Sequence, residues 1–114
     1  MKFYDRNTGI YIADSNEDLL ACTAVSYDEI KALLSGYILS VSGWRAVFAR
    51  SKDENDHSSD VGDGDRIIAA AAASAFFSYL GKDHPRILLG SDTRPTGRML
   101  TAIAARILIA LGAD

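Results

Sequence analysis

Two short segments of this sequence combine an arginine with glycine where the chain must turn. Gly90-Ser91-Asp92-Thr93-Arg94-Pro95-Thr96-Gly97 is polar, bounded by glycines, and carries Arg94. Ser42-Gly43-Trp44-Arg45 places Arg45 two positions after a glycine. The chemistry open to such segments is anion binding. Glycine lets backbone approach a ligand, and a guanidinium presents a planar fork of donors that fits phosphate or carboxylate. A helix beginning after the second segment adds the positive end of its dipole. Each segment also has an ordinary reading. Asp92 and Thr93 could cap the turn while Arg94 pairs with Asp92. Trp44 could belong to the core, with Arg45 merely exposed.

The elements that must position these residues can be read from pattern. Lys2 to Asp5 and Ile10 to Ala13 are β-prone around the turn residues Asn7-Thr8-Gly9, which predicts a hairpin. Ser26-Tyr27-Asp28-Glu29 has the form of a capping box and opens a helix with Ile30, Leu33 and Leu34 on one face and Gly36 as its stop. Tyr37 to Val41 and Arg45 to Ala49 read as strand segments around the Ser42-Gly43 break. Residues 51–65 hold six of the fifteen acids and read as a solvated, mobile loop. A long helix follows from Ile67 to Leu80, rich in alanine, with Gly81 suited to its end and the alanines leaving room for close approach. Arg86-Ile87-Leu88-Leu89 after Pro85 suits a buried parallel strand. Met99, Leu100, Ile103, Ala104, Ile107, Leu108 and Leu111 then form a broad apolar helical face closed by Gly112. Helix, strand, loop, helix is the order of an α/β layered domain. In such a domain ligands collect where strands end and helices begin, which is where the 90–97 loop falls.

Taken together, the two arginine segments resemble the first domain of the α-D-phosphohexomutases, the phosphoglucomutase and phosphomannomutase family. That family carries a Thr-Ser-Gly-x-Arg-Gly segment, then a helix, a strand and a Gly-Arg-Asp-x-Arg-x-Ser-Gly turn. Val41-Ser42-Gly43-Trp44-Arg45-Ala46 and the 90–97 loop match these in order and separation, and the resemblance spans residues 38–114. Val41, Ala46 and Ser91 stand where the family has Thr, Gly and Arg. The resemblance implies a three-layer α/β/α domain with a mixed, mainly parallel sheet. It further implies a parent enzyme that moves a phosphoryl group within a hexose phosphate, using a phosphoserine and Mg²⁺. Arg45 would contact phosphate, Ser42 and Gly43 would shape its loop, Arg94 would add a second contact, and Asp92 and Thr93 would support that turn.

The family's phosphoserine segment, metal loop and sugar-selecting loop have no counterpart in this sequence, so the chain alone is expected to be inactive and to bind no cofactor. Asp63-Gly64-Asp65-Arg66 imitates part of the metal loop, with Asp60 as a third carboxylate. Its place between the two first-domain motifs disfavours Asp63 and Asp65 as ligands and favours capping of the following helix. Residues 1–37 are not explained by the family. A stand-alone module that binds a phosphorylated ligand or a protein partner is therefore the alternative to an N-terminal domain fragment.

Composition bounds what is left. The 114 residues suit one domain, and a hydrophobic share of 48% with 24% charged residues suits a globular one. A net charge of −3 argues against wrapping nucleic acid. No apolar run approaches the roughly 18–20 residues a membrane span needs. Cys22 is alone, which excludes an intrachain disulfide, suits a cytoplasmic setting and predicts a small buried side chain. His57 and His84 lack partners at useful spacing. Trp44, Phe48, Phe76, Phe77 and Tyr79 are expected in the core. The partners expected are a hexose phosphate and the parent's other domains, with neither nucleic acid nor membrane.

Overall fold

The computed structural model describes the backbone of Lys2–Tyr4 and Tyr11–Asp14 and the residues 25–114. Cys22 and the turn at residues 7–9 lie outside them. The first two strands, β1 (Lys2–Tyr4) and β2 (Tyr11–Asp14), pair antiparallel with Phe3 opposite Ala13, as the hairpin reading predicts.

Helix α1 (Tyr27–Ser35) begins on the expected capping box. Glu29 N–H donates to Ser26 Oγ at 3.2 Å, and Ser26 N–H donates to Glu29 Oε2 at 2.9 Å. The hairpin of β3 (Ile38–Ser40) and β4 (Gly43–Arg45) follows, with Leu39 opposite Trp44. Beyond it the expected strand reaches Ala49 only as one isolated antiparallel bridge to Val61.

Two long helices carry the core. Helix α2 (Asp63–Leu80) starts four residues earlier than its apolar spacing predicts, and Gly81 ends it in the left-handed conformation at φ +60°. Helix α3 (Gly97–Leu111) ends likewise on Gly112 at φ +110°. Ala102 and Ile103 of α3 are buried against Ala69 and Ala70 of α2, with Met99 and Ile107 alongside. Alanine on the contact face is what allows the two backbones to come close, as the sequence suggests. At the start of α2, a methyl on Gly64 would overlap Leu33 Cδ1, so glycine there admits α1.

Three expectations need correction. Arg86–Leu89 is not a buried strand: among the described residues both sheets are two-stranded and antiparallel, and Leu88 is fully exposed. The segment makes a single parallel rung, in which Asp114 N–H donates to Pro85 O and Ile87 N–H to Asp114 O, both at 2.9 Å. Three of the five aromatics are not core either: Trp44 is 51%, Phe76 48% and Tyr79 86% exposed, while Phe48 and Phe77 are partly buried. The alanine face of α2 takes the contact with α3, which turns the bulky positions of the same helix elsewhere. The acidic loop is also shorter than residues 51–65, because α2 absorbs its last three residues.

Candidate functional site

The first arginine segment is set by the β3–β4 turn. Gly43 has φ +148°, a conformation essentially reserved for glycine, although a side chain would meet no atom there. Ser40 Oγ donates to Gly43 O at 3.0 Å and lies 3.0 Å from Ser42 Oγ, so the two serines close the turn. Arg45, the last residue of β4, is exposed, and its guanidinium makes no hydrogen bond or ion pair with any described residue.

The second segment neutralises itself. Asp92 accepts Arg94 N–H at 3.0 Å and pairs with Arg94 Nε at 3.0 Å, the ordinary reading of this turn. Both side chains are well exposed, so the pair is open to water and salt and is weak. Thr96, not Asp92 or Thr93, occupies the N-cap of α3, and it makes no side-chain cap bond. Thr93 is exposed.

No hydrogen bond or ion pair joins the two turns among the described residues. Their flanks do meet, in an apolar groove of about 420 Å³. Trp44 from the first segment lines it, with Leu88 and Leu89 from the residues just ahead of the second, and Phe76 of α2 and Leu100 of α3 beside them. Trp44, Phe48 and Phe76 of the aromatic set thus line a cleft beside the motif flanks.

The acidic segment is occupied by cations of the chain itself. Arg50 Nε donates to Asp60 Oδ2 at 2.7 Å, and Arg50 also reaches Asp63 at 3.4 Å. Arg50 N–H donates to Asp60 O, so the 51–60 loop is closed at its neck. The Arg50 hydrogen bond holds the Asp60 carboxyl below its ordinary range, and the same contact raises Arg50. Asp65 is 1% exposed and receives both Lys52 Nζ and the Tyr37 hydroxyl, the latter at 2.7 Å. Burial first, and then the Asp65 contact, raise the Tyr37 phenol well above its usual value. Neither aspartate caps the helix: Gly62 is the N-cap and forms no side-chain cap bond. Among the described residues no three His, Cys, Asp or Glu side chains gather as they would around a metal ion, and Asp60, Asp63 and Asp65 are paired with Arg50 and Lys52.

The sequence reading missed Lys52, Tyr37 and Arg50. The signal for Lys52 was a lone base at the head of an acid run, which pattern alone assigns to solvent. His57 is exposed, and His84 Nδ1 lies 3.1 Å from Gly112 O at the end of α3. No described helix is long and apolar enough to cross a membrane.

The family model for the alpha/beta/alpha domain I of phosphoglucomutase/phosphomannomutase matches residues 49–114, more than half of the chain. The match contains the 90–97 turn and both long helices and begins four residues after Arg45. Comparison with curated proteins and with solved structures gives no match.

Proposed function

The chain belongs to the phosphoglucomutase/phosphomannomutase family through its domain I, and from that premise we propose that it supplies phosphate and phosphosugar contacts to intramolecular phosphoryl transfer on hexose phosphates. The observation that carries the reading is the open guanidinium of Arg45, held at the mouth of a glycine-dependent turn without a carboxylate partner among the described residues. Phosphoryl transfer depends chiefly on cations placed where charge spreads over the phosphoryl oxygens. Arg45 can offer two parallel N–H donors to such a group. Ser42 and Gly43 shape its approach, and Arg94, with Asp92 and Thr93 supporting the turn, adds a second and weaker contact.

The nucleophile, the metal and the sugar-selecting groups belong to the family's other domains in this reading. Mg²⁺ would be held there, and no step on this chain passes through it. The partners are therefore a hexose phosphate and those domains, and the setting is the cytoplasm. We also propose the family's three-layer architecture with a mainly parallel sheet. The parallel rung between Asp114 and the Pro85–Ile87 segment supports it, being how a second parallel strand would begin beside the first.

Glucose 6-phosphate titrated into the isotopically labelled protein tests the reading. We expect shifts at Arg45 Nε–Hε and at the 42–45 amides, lost in Arg45→Ala while the fold is kept. Equal binding by Arg45→Ala would sink it. A coupled mutase assay should show no turnover by the chain alone.

A further inference from the structure

Residues 46–48 follow Arg45 directly, yet they lie outside every strand. Their support comes from one buried carboxylate on another element. Asp65, in the first turn of α2, holds them by two arms. One arm is Lys52, whose Nζ pairs with Asp65 Oδ2 and donates to Val47 O at 2.9 Å. The other is Tyr37, whose hydroxyl donates to Asp65 Oδ1 at 2.7 Å while its ring meets Phe48 edge-on at 5.7 Å. Lys52 reaches this position from a left-handed backbone at φ +61°, and no other described non-glycine residue has a positive φ. A lysine serving only to soften an acid loop has no need of that conformation, nor of a second bond to a carbonyl five residues back.

We propose that Lys52, seated on Asp65, is a positioning residue for Arg45, fixing the backbone on which the phosphate-binding guanidinium is presented. The inference rests on the reading of Arg45 above and deepens it. An arginine without a carboxylate partner cannot orient itself by pairing, so its direction is set by the chain beneath it. Lys52 ties that chain to α2 within two residues of Arg45, and Tyr37 braces the next residue from the opposite arm. Freed from Val47 O, the segment would let the guanidinium sample many directions, which weakens anion capture without unfolding the helices.

Trp44 is the sole tryptophan and adjoins Arg45, so its fluorescence reports on this segment. The test compares wild type, Lys52→Met, Lys52→Arg and Tyr37→Phe. It reads Trp44 anisotropy, the Val47 carbonyl shift, and inorganic phosphate binding at Arg45. In Lys52→Met we expect lower Trp44 anisotropy, a moved Val47 carbonyl signal and about tenfold weaker phosphate binding, with α3 signals in place. Lys52→Arg should restore most of each, and Tyr37→Phe should show a smaller change in the same direction. If Lys52→Met does not fold, the double change Lys52→Met with Asp65→Asn removes the pair without stranding a buried charge. Unchanged Trp44 anisotropy and an unchanged Val47 signal in the folded variants would overturn the proposal. Phosphate that fails to act through Arg45 in wild type, beside the expected Trp44 and Val47 changes, would overturn the phosphate reading and leave the backbone lock in place.

Discussion

Arg94 and Arg45 sit in turns of similar composition, yet the chain treats their charges in opposite ways. Arg94 is met within two residues by Asp92, which takes both its backbone N–H and its guanidinium. Arg45 has no such neighbour, and the segment after it is held from afar by Tyr37, Lys52 and Asp65. A turn that neutralises its own cation can be stable by local bonds alone. One that leaves a cation open for a ligand has to take its rigidity from elsewhere in the fold. The difference leaves the Arg45 guanidinium the more open of the two, since Arg94 is paired with Asp92.

The largest effect should come from the support both turns share. Ile103 is 1% exposed between α2 and α3, so Ile103→Ala should cost about 2–5 kcal/mol, measured by urea unfolding. Since α2 carries Asp65 and α3 follows the 90–97 turn, both turns should loosen together in hydrogen exchange. Loosening of only one would break the comparison at its base. Gly43→Ala should act on one turn alone. Its φ of +148° is strained for alanine, and about 1–3 kcal/mol of stability should be lost. The amide signals of residues 40–45 should move, and those of 90–97 should not.

The sequence made the helices legible and the sheet much less so. Capping at Ser26 and Glu29, the glycine stops at Gly81 and Gly112, and the alanine face of α2 are local or periodic signals, and the structure follows them. Leu88 and Leu89 looked buried because an apolar run carries no information about whether a ladder forms beside it. Among the described residues the ladder beside it is one rung at Asp114. The aromatics misled for a related reason. Trp44 and Phe76 line an open groove, and side-chain type does not distinguish a core from an open cleft. In the candidate site, the turn at Gly43 and the Asp92–Arg94 pair were readable because their partners are two or three residues apart. The pair of Lys52 with the buried Asp65 was not, because it depends on a left-handed lysine and on a helix start displaced toward the N-terminus.

A smaller effect should come from making the second turn like the first. Asp92→Asn removes an exposed pair, so stability should change by less than about 1 kcal/mol. It also leaves Arg94 without its carboxylate. If availability of charge is what separates the two turns, inorganic phosphate should then shift Arg94 Nε–Hε more strongly than in wild type, as read by NMR. An unchanged response would mean that the local aspartate is not what closes Arg94 to anions.

The smallest effect concerns the latch between the two motifs, and its sign can be worked out. The Arg50 hydrogen bond holds the Asp60 carboxyl below its ordinary value, and the Ser51 hydroxyl does the same for Asp56. A group lowered in the folded state contributes stability that is present above its unfolded pKa, about 4 for aspartate. That contribution is lost as pH falls through the lower folded value. The neck of the 51–60 loop should therefore open below about pH 4, with little change at neutral pH. Carboxyl carbon shifts of Asp60 and Asp56 and the Arg50 Nε–Hε signal should report the opening, and Arg50→Gln should abolish the Asp60 part of it. At neutral pH Arg50→Gln should leave the Arg45 signal in place, because the backbone two residues after Arg45 is bonded by Lys52, which pairs with Asp65 and not with Asp60. Loss of the Arg45 signal in Arg50→Gln would mean that the Arg50–Asp60 latch, and not Lys52, holds the Arg45 turn.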